Sequence, residues 1–233
     1  MICADNRQEV VKHQTFVESE LQRPVSRLLK VASSQLAPAS FPRLERYHAA
    51  VSERLTTELS VLLSQRNGFF AFESALHVYS DVTTDRGIGL FDWNSPPRWI
   101  DAYGGLADGM LFFAQDVFGG QFCLRRDEIC TFDPETGSTD CIADSFEAWA
   151  RVILDDYEVL AGFPLAHAWQ TTNGALPPGQ RLVPKTPFVL GGEYTVKNLY
   201  ALDATEAMTF RANLAVQIRD LTEGAQVKWE IRE

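Results

Sequence analysis

The sequence is poor in the residues that usually announce chemistry. Its 233 residues hold only four cysteines and four histidines. His13, His48, His77 and His167 are never three or four positions apart, so no helical metal clamp is visible. Zinc-type Cys-x-x-Cys spacing is also absent. No Gly-x-Ser-x-Gly elbow occurs, which weakens a serine hydrolase. Gly191-Gly192 lacks the spacing of a phosphate loop. No run approaches the ~18 apolar residues of a membrane helix. Asp5, Asn6, Arg7, Gln8 and Glu9 interrupt any apolar leader, so no signal peptide is read. The expectation is a cytoplasmic protein with no cofactor, no metal and no membrane partner.

Basic charge is scarce in one place. The net charge is -10. Residues 69–160 hold five basic and seventeen acidic residues, while the flanking segments are close to neutral. Such a field repels nucleic acid and anionic lipid and attracts basic partners. Trp93 and Trp99 have rings that can stack on bases, but the acid around them argues against nucleic acid.

Hydrophobic patterning supplies the architecture. Val10, Val11, Val17 and Leu21 have loose helical spacing. Pro24 suits the first turn of a short helix burying Val25, Leu28, Leu29 and Ala32. Leu44, Tyr47, Val51, Leu55, Leu59 and Leu62 step by three and four, which predicts one long helix ending near Asn67-Gly68. Phe69 to Tyr79 reads as buried extended chain. A turn-rich stretch follows, and Pro97 opens a short helix holding Trp99, Ile100 and Tyr103. Short apolar runs over 109–143 are separated by turn residues and predict antiparallel hairpins. Phe146, Trp149, Ile153, Tyr157 and Leu160 line a covering helix capped by Asp144 or Ser145, with Asp144 and Glu147 at capping-box spacing. A Pro- and Gly-rich loop fills 173–192, packed by its own apolar residues. Tyr194 to Leu202 reads as extended. Asp203 to Glu206 begins a last helix with Phe210, Leu214, Ile218 and Leu221 as its stripe. Val227, Trp229 and Ile231 alternate as a closing strand.

With Arg126-Asp127 and Pro134 to Gly137 as turns, Cys123 falls opposite Cys130, and Cys130 opposite Cys141. Buried structural thiols are the favoured reading of this row, ahead of a disulfide or a metal. Asp155-Asp156 reads as a solvated face, because helical neighbours diverge by about 100°.

Three stretches carry a family resemblance: Gly109 to Cys123, Phe132 to Gly137 and Ala143 to Trp149. Together with Asn67-Gly68-Phe69 and Trp99 to Gly105 they resemble the SUKH superfamily. That group includes bacterial immunity proteins and yeast cell-wall synthesis regulators. The likeness spans about residues 45–160, and residues 161–233 look like the tail of a longer bacterial branch. It implies an α+β fold, a curved antiparallel sheet with helices packed against it, in one domain. Residues 1–68 would be N-terminal helices, 69–160 the sheet core and covering helix, and 161–233 a helix-strand extension. It also implies a non-catalytic immunity protein that neutralises a cognate polymorphic toxin, such as a basic nuclease or deaminase domain. No family binding residues transfer by motif. The acidic loops supply the candidates Asp81, Asp85, Asp92, Trp93 and Asp116, an aromatic anchor among carboxylates. The alternatives are a regulatory scaffold, or a small hydrolase or transferase using His77 beside Tyr79, Asp81 and Asp85.

Overall fold

The computed structural model describes residues 22–221. A six-stranded antiparallel sheet forms its centre, with strands in sequence order. They are β1 (Phe69–Ala71), β2 (Leu76–Val78), β3 (Leu111–Gln115), β4 (Gln121–Arg125), β5 (Glu128–Phe132) and β6 (Thr139–Ala143). The β4–β5 connection is the two-residue turn Arg126-Asp127, with Arg126 in the left-handed region at φ 52°. That turn fixes the register. Cys123 pairs with Cys130 and Cys130 with Cys141, as the turn spacing predicts.

Every residue of β3 is buried, which accounts for its unbroken apolar run. One sheet face presents Phe113 and Phe122, whose rings meet the edge of Trp149. Trp149 lies on α4 (Phe146–Asp155), which is shorter than the predicted covering helix: Asp156 leaves the helical conformation, and Tyr157 and Leu160 fall on a separate turn. The opposite face presents Phe112 and Phe132 to Trp99 and Tyr103. Those two arrive from 3-10 turns at Pro96–Arg98 and Ile100–Tyr103, the second closed by Gly104 in the left-handed region. Each such side chain contributes about 1.5–3 kcal/mol by leaving water. Ahead of these turns lies α3 (Leu90–Trp93).

The N-terminal helices depart from the simple periodicity. The first, α1 (Pro24–Val31), forms with Pro at its start and buries Val25 and Leu28. The long helix expected from Leu44 to Leu62 is divided. A 3-10 turn covers Glu45–Tyr47, and α2 spans Glu53–Gln65. Ser52 is the reason: its hydroxyl caps Leu55 N, and its own N–H donates to Arg126 O. Val51 is thereby committed to a bridge with Arg126. Of the two cap candidates of α4, Ser145 serves, since it accepts from Ala148 N. Glu147 does not close a capping box. It accepts from Val25 N and so fastens α1 to α4.

After α4 come α5 (Tyr157–Leu160) and α6 (Phe163–Asn173). The expected loop over 173–192 contains a strand. This strand, β7 (Gln180–Pro184), pairs with β8 (Leu199–Asp203) as a separate ribbon. Asp203 then caps α7 (Ala204–Ile218) through Thr205 N and Glu206 N. Its buried stripe is the expected one only in part. Leu214 is buried and Ile218 half-buried, but Phe210 and Leu221 are exposed, and Ala207, Met208, Arg211, Ala212 and Ala215 face inward beside Leu214. Small alanines allow close approach, and Arg211 follows them into the interior. The helix expected near Val10 to Leu21 and the strand expected near Val227 to Ile231 lie outside the described residues.

The cysteine row needs one correction. Cys123 is a buried thiol, but Cys130 and Cys141 form a disulfide between β5 and β6. Direct pairing across adjacent strands brings their side chains together. The two sheet edges also differ. At β1, Phe70 O accepts from Ser33 N, Phe70 N donates to Ser33 Oγ, and Gly68 O accepts from Leu36 N. At β6, no described backbone group pairs with the outer side. The architecture is α+β, an antiparallel sheet with helices packed against it. Among the described residues, no helix is long and apolar enough to cross a membrane.

Candidate functional site

The five residues proposed from sequence do not form one surface. Asp81 follows β2 and Asp116 follows β3. These strands run antiparallel with His77 opposite Gln115, so the two aspartates lie at opposite ends of the pair. Asp85 and Asp92 are exposed, and Asp92 accepts from Thr83 Oγ1. Arginines interleave with them: Arg98 donates to Asp92 O, and Arg46 lies over the Phe91 ring at 4.1 Å. Asp81 accepts from Asn67 Nδ2 at 2.6 Å. Trp93 cannot be an exposed anchor. It is 1% exposed on α3, with Nε1 donating to Gln121 Oε1 at 2.9 Å.

His77 is a core residue. Its ring stacks on Phe70 at 4.4 Å and meets Tyr79 edge-on at 5.0 Å. The Gln115 amide, oriented by its neighbours, accepts from His77 Nδ1 at 3.2 Å and from Arg181 Nε at 3.1 Å. Burial holds the imidazole pKa well below its ordinary value, and Arg181 and Arg86 lower it further. The expected pairing with Asp81 or Asp85 does not occur: the described partner is an amide and the nearby charges are cationic. His48 bonds Thr56, and His167 pairs with Glu73 at the surface. Among the described residues, no cluster of three or more His, Cys, Asp or Glu has metal-binding geometry.

The concave site lies where three segments meet, a cavity of about 400 Å³. The first segment is the β3–β4 turn. Asp116 Oδ1 accepts from Phe118 N at 2.7 Å and Gly120 N at 2.8 Å, which folds the turn over its own carboxylate. A Cβ at Gly119 would stand 2.6 Å from Arg211 Nη2, and one at Gly120 would stand 2.5 Å from Asp116 Oδ2. Only glycine leaves room for both charged groups. The second segment is the turn after β5. Asp133 Oδ1 accepts from Glu135 N at 2.7 Å, and Tyr103 anchors the turn through Pro134 O at 2.8 Å. The third segment runs from 188 to 194, where Phe188 and Tyr194 stack in parallel at 3.9 Å. Phe118 meets Phe188 edge-on at 5.6 Å.

Asp116, Asp133, Glu135 and Arg211 are the charged groups of the lining. Arg211 donates to the Phe118 and Ala207 carbonyls. Burial pushes the Asp116 carboxyl up to about 7 against the downward pull of Gly120 N–H and Arg211. Burial also raises Glu135. Gln121 forms part of the floor, its carbonyl accepting from Tyr79 and Trp93 and its amide donating to Gly119 O. Val159, Val189 and Tyr194 stand at the rim, 73%, 42% and 65% exposed. Of the five sequence candidates only Asp116 reaches this lining. Arg211 escapes notice because it occupies an apolar helix position. The spacing Ala207, Arg211, Ala215 is the signal that marks it, since small residues line the close face.

These features define an α+β protein with an acidic, aromatic-walled cavity beside its sheet. The chain matches no family model and no curated protein. Among solved structures it is similar to the crystal structure of Atu4351 from Agrobacterium tumefaciens, with a TM-score of 0.52 and 14% identity. The likeness covers 82% of this chain and 88% of that one, and it is a likeness of fold.

Proposed function

We propose that this protein is an immunity protein that binds and neutralises a basic toxin, with the cavity at the centre of the contact. The carrying observation is the exposed rim of Val159, Val189 and Tyr194 around a lining that includes Asp116, Asp133 and Glu135. Apolar side chains left in water around a concave centre are the usual anatomy of a protein contact. The acidic excess of residues 69–160 steers a basic partner toward the protein. The resemblance to the SUKH superfamily supports the same role. The cytoplasm is the proposed compartment.

The test is co-expression of the tagged chain with the product of the adjacent upstream reading frame. The expected result is a stable complex that Val159→Asp and Tyr194→Ser each weaken, because both side chains stand exposed at the rim. No complex, or a complex indifferent to both substitutions, overturns the proposal.

A further inference from the structure

We infer that the cavity holds an organic cation, the ammonium or guanidinium end of a lysine or arginine side chain presented by the basic partner. This inference rests on the binding role proposed above. It starts from one atom. Glu135 is 4% exposed, and its Oε2 accepts from Val189 N at 2.8 Å. Its Oε1 is buried and has no described hydrogen-bond partner. A buried carboxylate oxygen without a donor is unfavourable, and a cationic N–H is the donor that relieves it most.

The rest of the lining selects the same sign of charge. Asp116 adds a second carboxyl to the wall and Asp133 a third. Among the described residues, none of the three makes an ion pair. Arg211 is the cation of the lining, but its Nε and Nη1 are already bound to carbonyl oxygens. An anion would therefore face three carboxyl groups and a committed guanidinium. An uncharged apolar group would leave Glu135 Oε1 unsatisfied. The exposed Tyr194 ring, stacked on Phe188, offers a π face of the kind that cations occupy. Burial raises the pKa of Asp116 and of Glu135, which by itself favours their neutral forms. Burial outweighs what opposes it: the Gly120 and Phe118 N–H groups with Arg211 and Arg181 for Asp116, and the Val189 and Phe188 N–H groups with Arg211 for Glu135, where Asp133 acts in the same direction as burial. An incoming positive charge favours the ionised form of both.

The experiment titrates the full chain with doubly capped arginine, doubly capped lysine and doubly capped citrulline. Nuclear magnetic resonance follows the Gly120 and Val189 amides and the Tyr194 ring. The expected result is a saturable shift of these signals with a cationic probe and none with citrulline, which has nearly the shape of arginine without its charge. Comparing the two cations identifies the side chain. Glu135→Gln preserves shape and the acceptor for Val189 N, and it weakens the cation by about tenfold. Tyr194→Ala removes the ring stacked on Phe188 and weakens it several-fold. The inference is overturned if neither cation shifts these signals, if citrulline matches them, or if both variants bind as the parent does. Failure of the toxin role shows elsewhere: cations fill the cavity while co-expression yields no complex.

Discussion

Asn94 joins two chain segments with one side chain. Its Nδ2 donates to Leu90 O and Phe112 O, and its Oδ1 accepts from Phe112 N. It therefore fastens the end of α3 to the centre of the sheet. Asn94→Ala leaves the buried Phe112 N–H and C=O without partners, at about 1–3 kcal/mol each. A urea midpoint lowered by the equivalent of about 3 kcal/mol is expected, and an unchanged midpoint refutes the argument. Asp116 gives a pH signature at the same scale. Its folded pKa of about 7 lies above the unfolded value near 4. The folded state thus binds the proton more tightly between those values. Its contribution to stability falls as pH rises from about 4 to about 7, and is constant above. Asp116→Asn keeps an acceptor for Phe118 N and Gly120 N but cannot titrate. The stability difference, parent minus variant, should decline over that window, which urea midpoints at several pH values will show.

Each element's limits depend on a few residues, and those limits can be tested separately. Ser52→Ala removes the cap that divides α2 from the turn before it, and about 1 kcal/mol of stability should be lost. The Cys130–Cys141 bond closes a loop with a sequence separation of 11 and ties β6 to β5. Cys141→Ser should cost about 3 kcal/mol in oxidising buffer and close to nothing under reductant. Mass spectrometry of the parent, with and without reductant, reports the two hydrogens that distinguish the states. The hairpins and the cysteine register are legible in sequence because turn length dictates which residues face each other. The helices are less so. Leu44 to Leu62 keeps its period across a break that only the Ser52 hydroxyl and the Val51–Arg126 bridge reveal. On α7 Phe210 and Leu221 mislead, since four alanines share the inner face with Met208, Arg211 and Leu214. Glu135 is hidden for another reason. It looks like a turn residue, and its partner Val189 lies 54 positions away.

Charge acts on the whole molecule. The acidic excess of 69–160 is spread over loops, strands and helices, while the cavity concentrates carboxyl groups at one place. Association with a basic partner should therefore slow as salt rises, because screening shortens the reach of exposed charges. Stopped-flow association at increasing ionic strength checks this, and a flat profile would count against electrostatic capture. The sheet has a directional character of its own. The β1 edge is occupied by Ser33 and Leu36, whereas the described chain leaves the outer side of β6 without pairing. Strand-to-strand polymerisation needs two open edges on every subunit, one to receive and one to offer. With the β1 edge of this sheet closed, the described residues leave β6 free to join β6 of a second copy, and growth through this sheet then ends. Through this sheet, as residues 22–221 form it, crowding or overexpression can drive a terminated pair, while an endless fibril requires residues 33–36 to detach first.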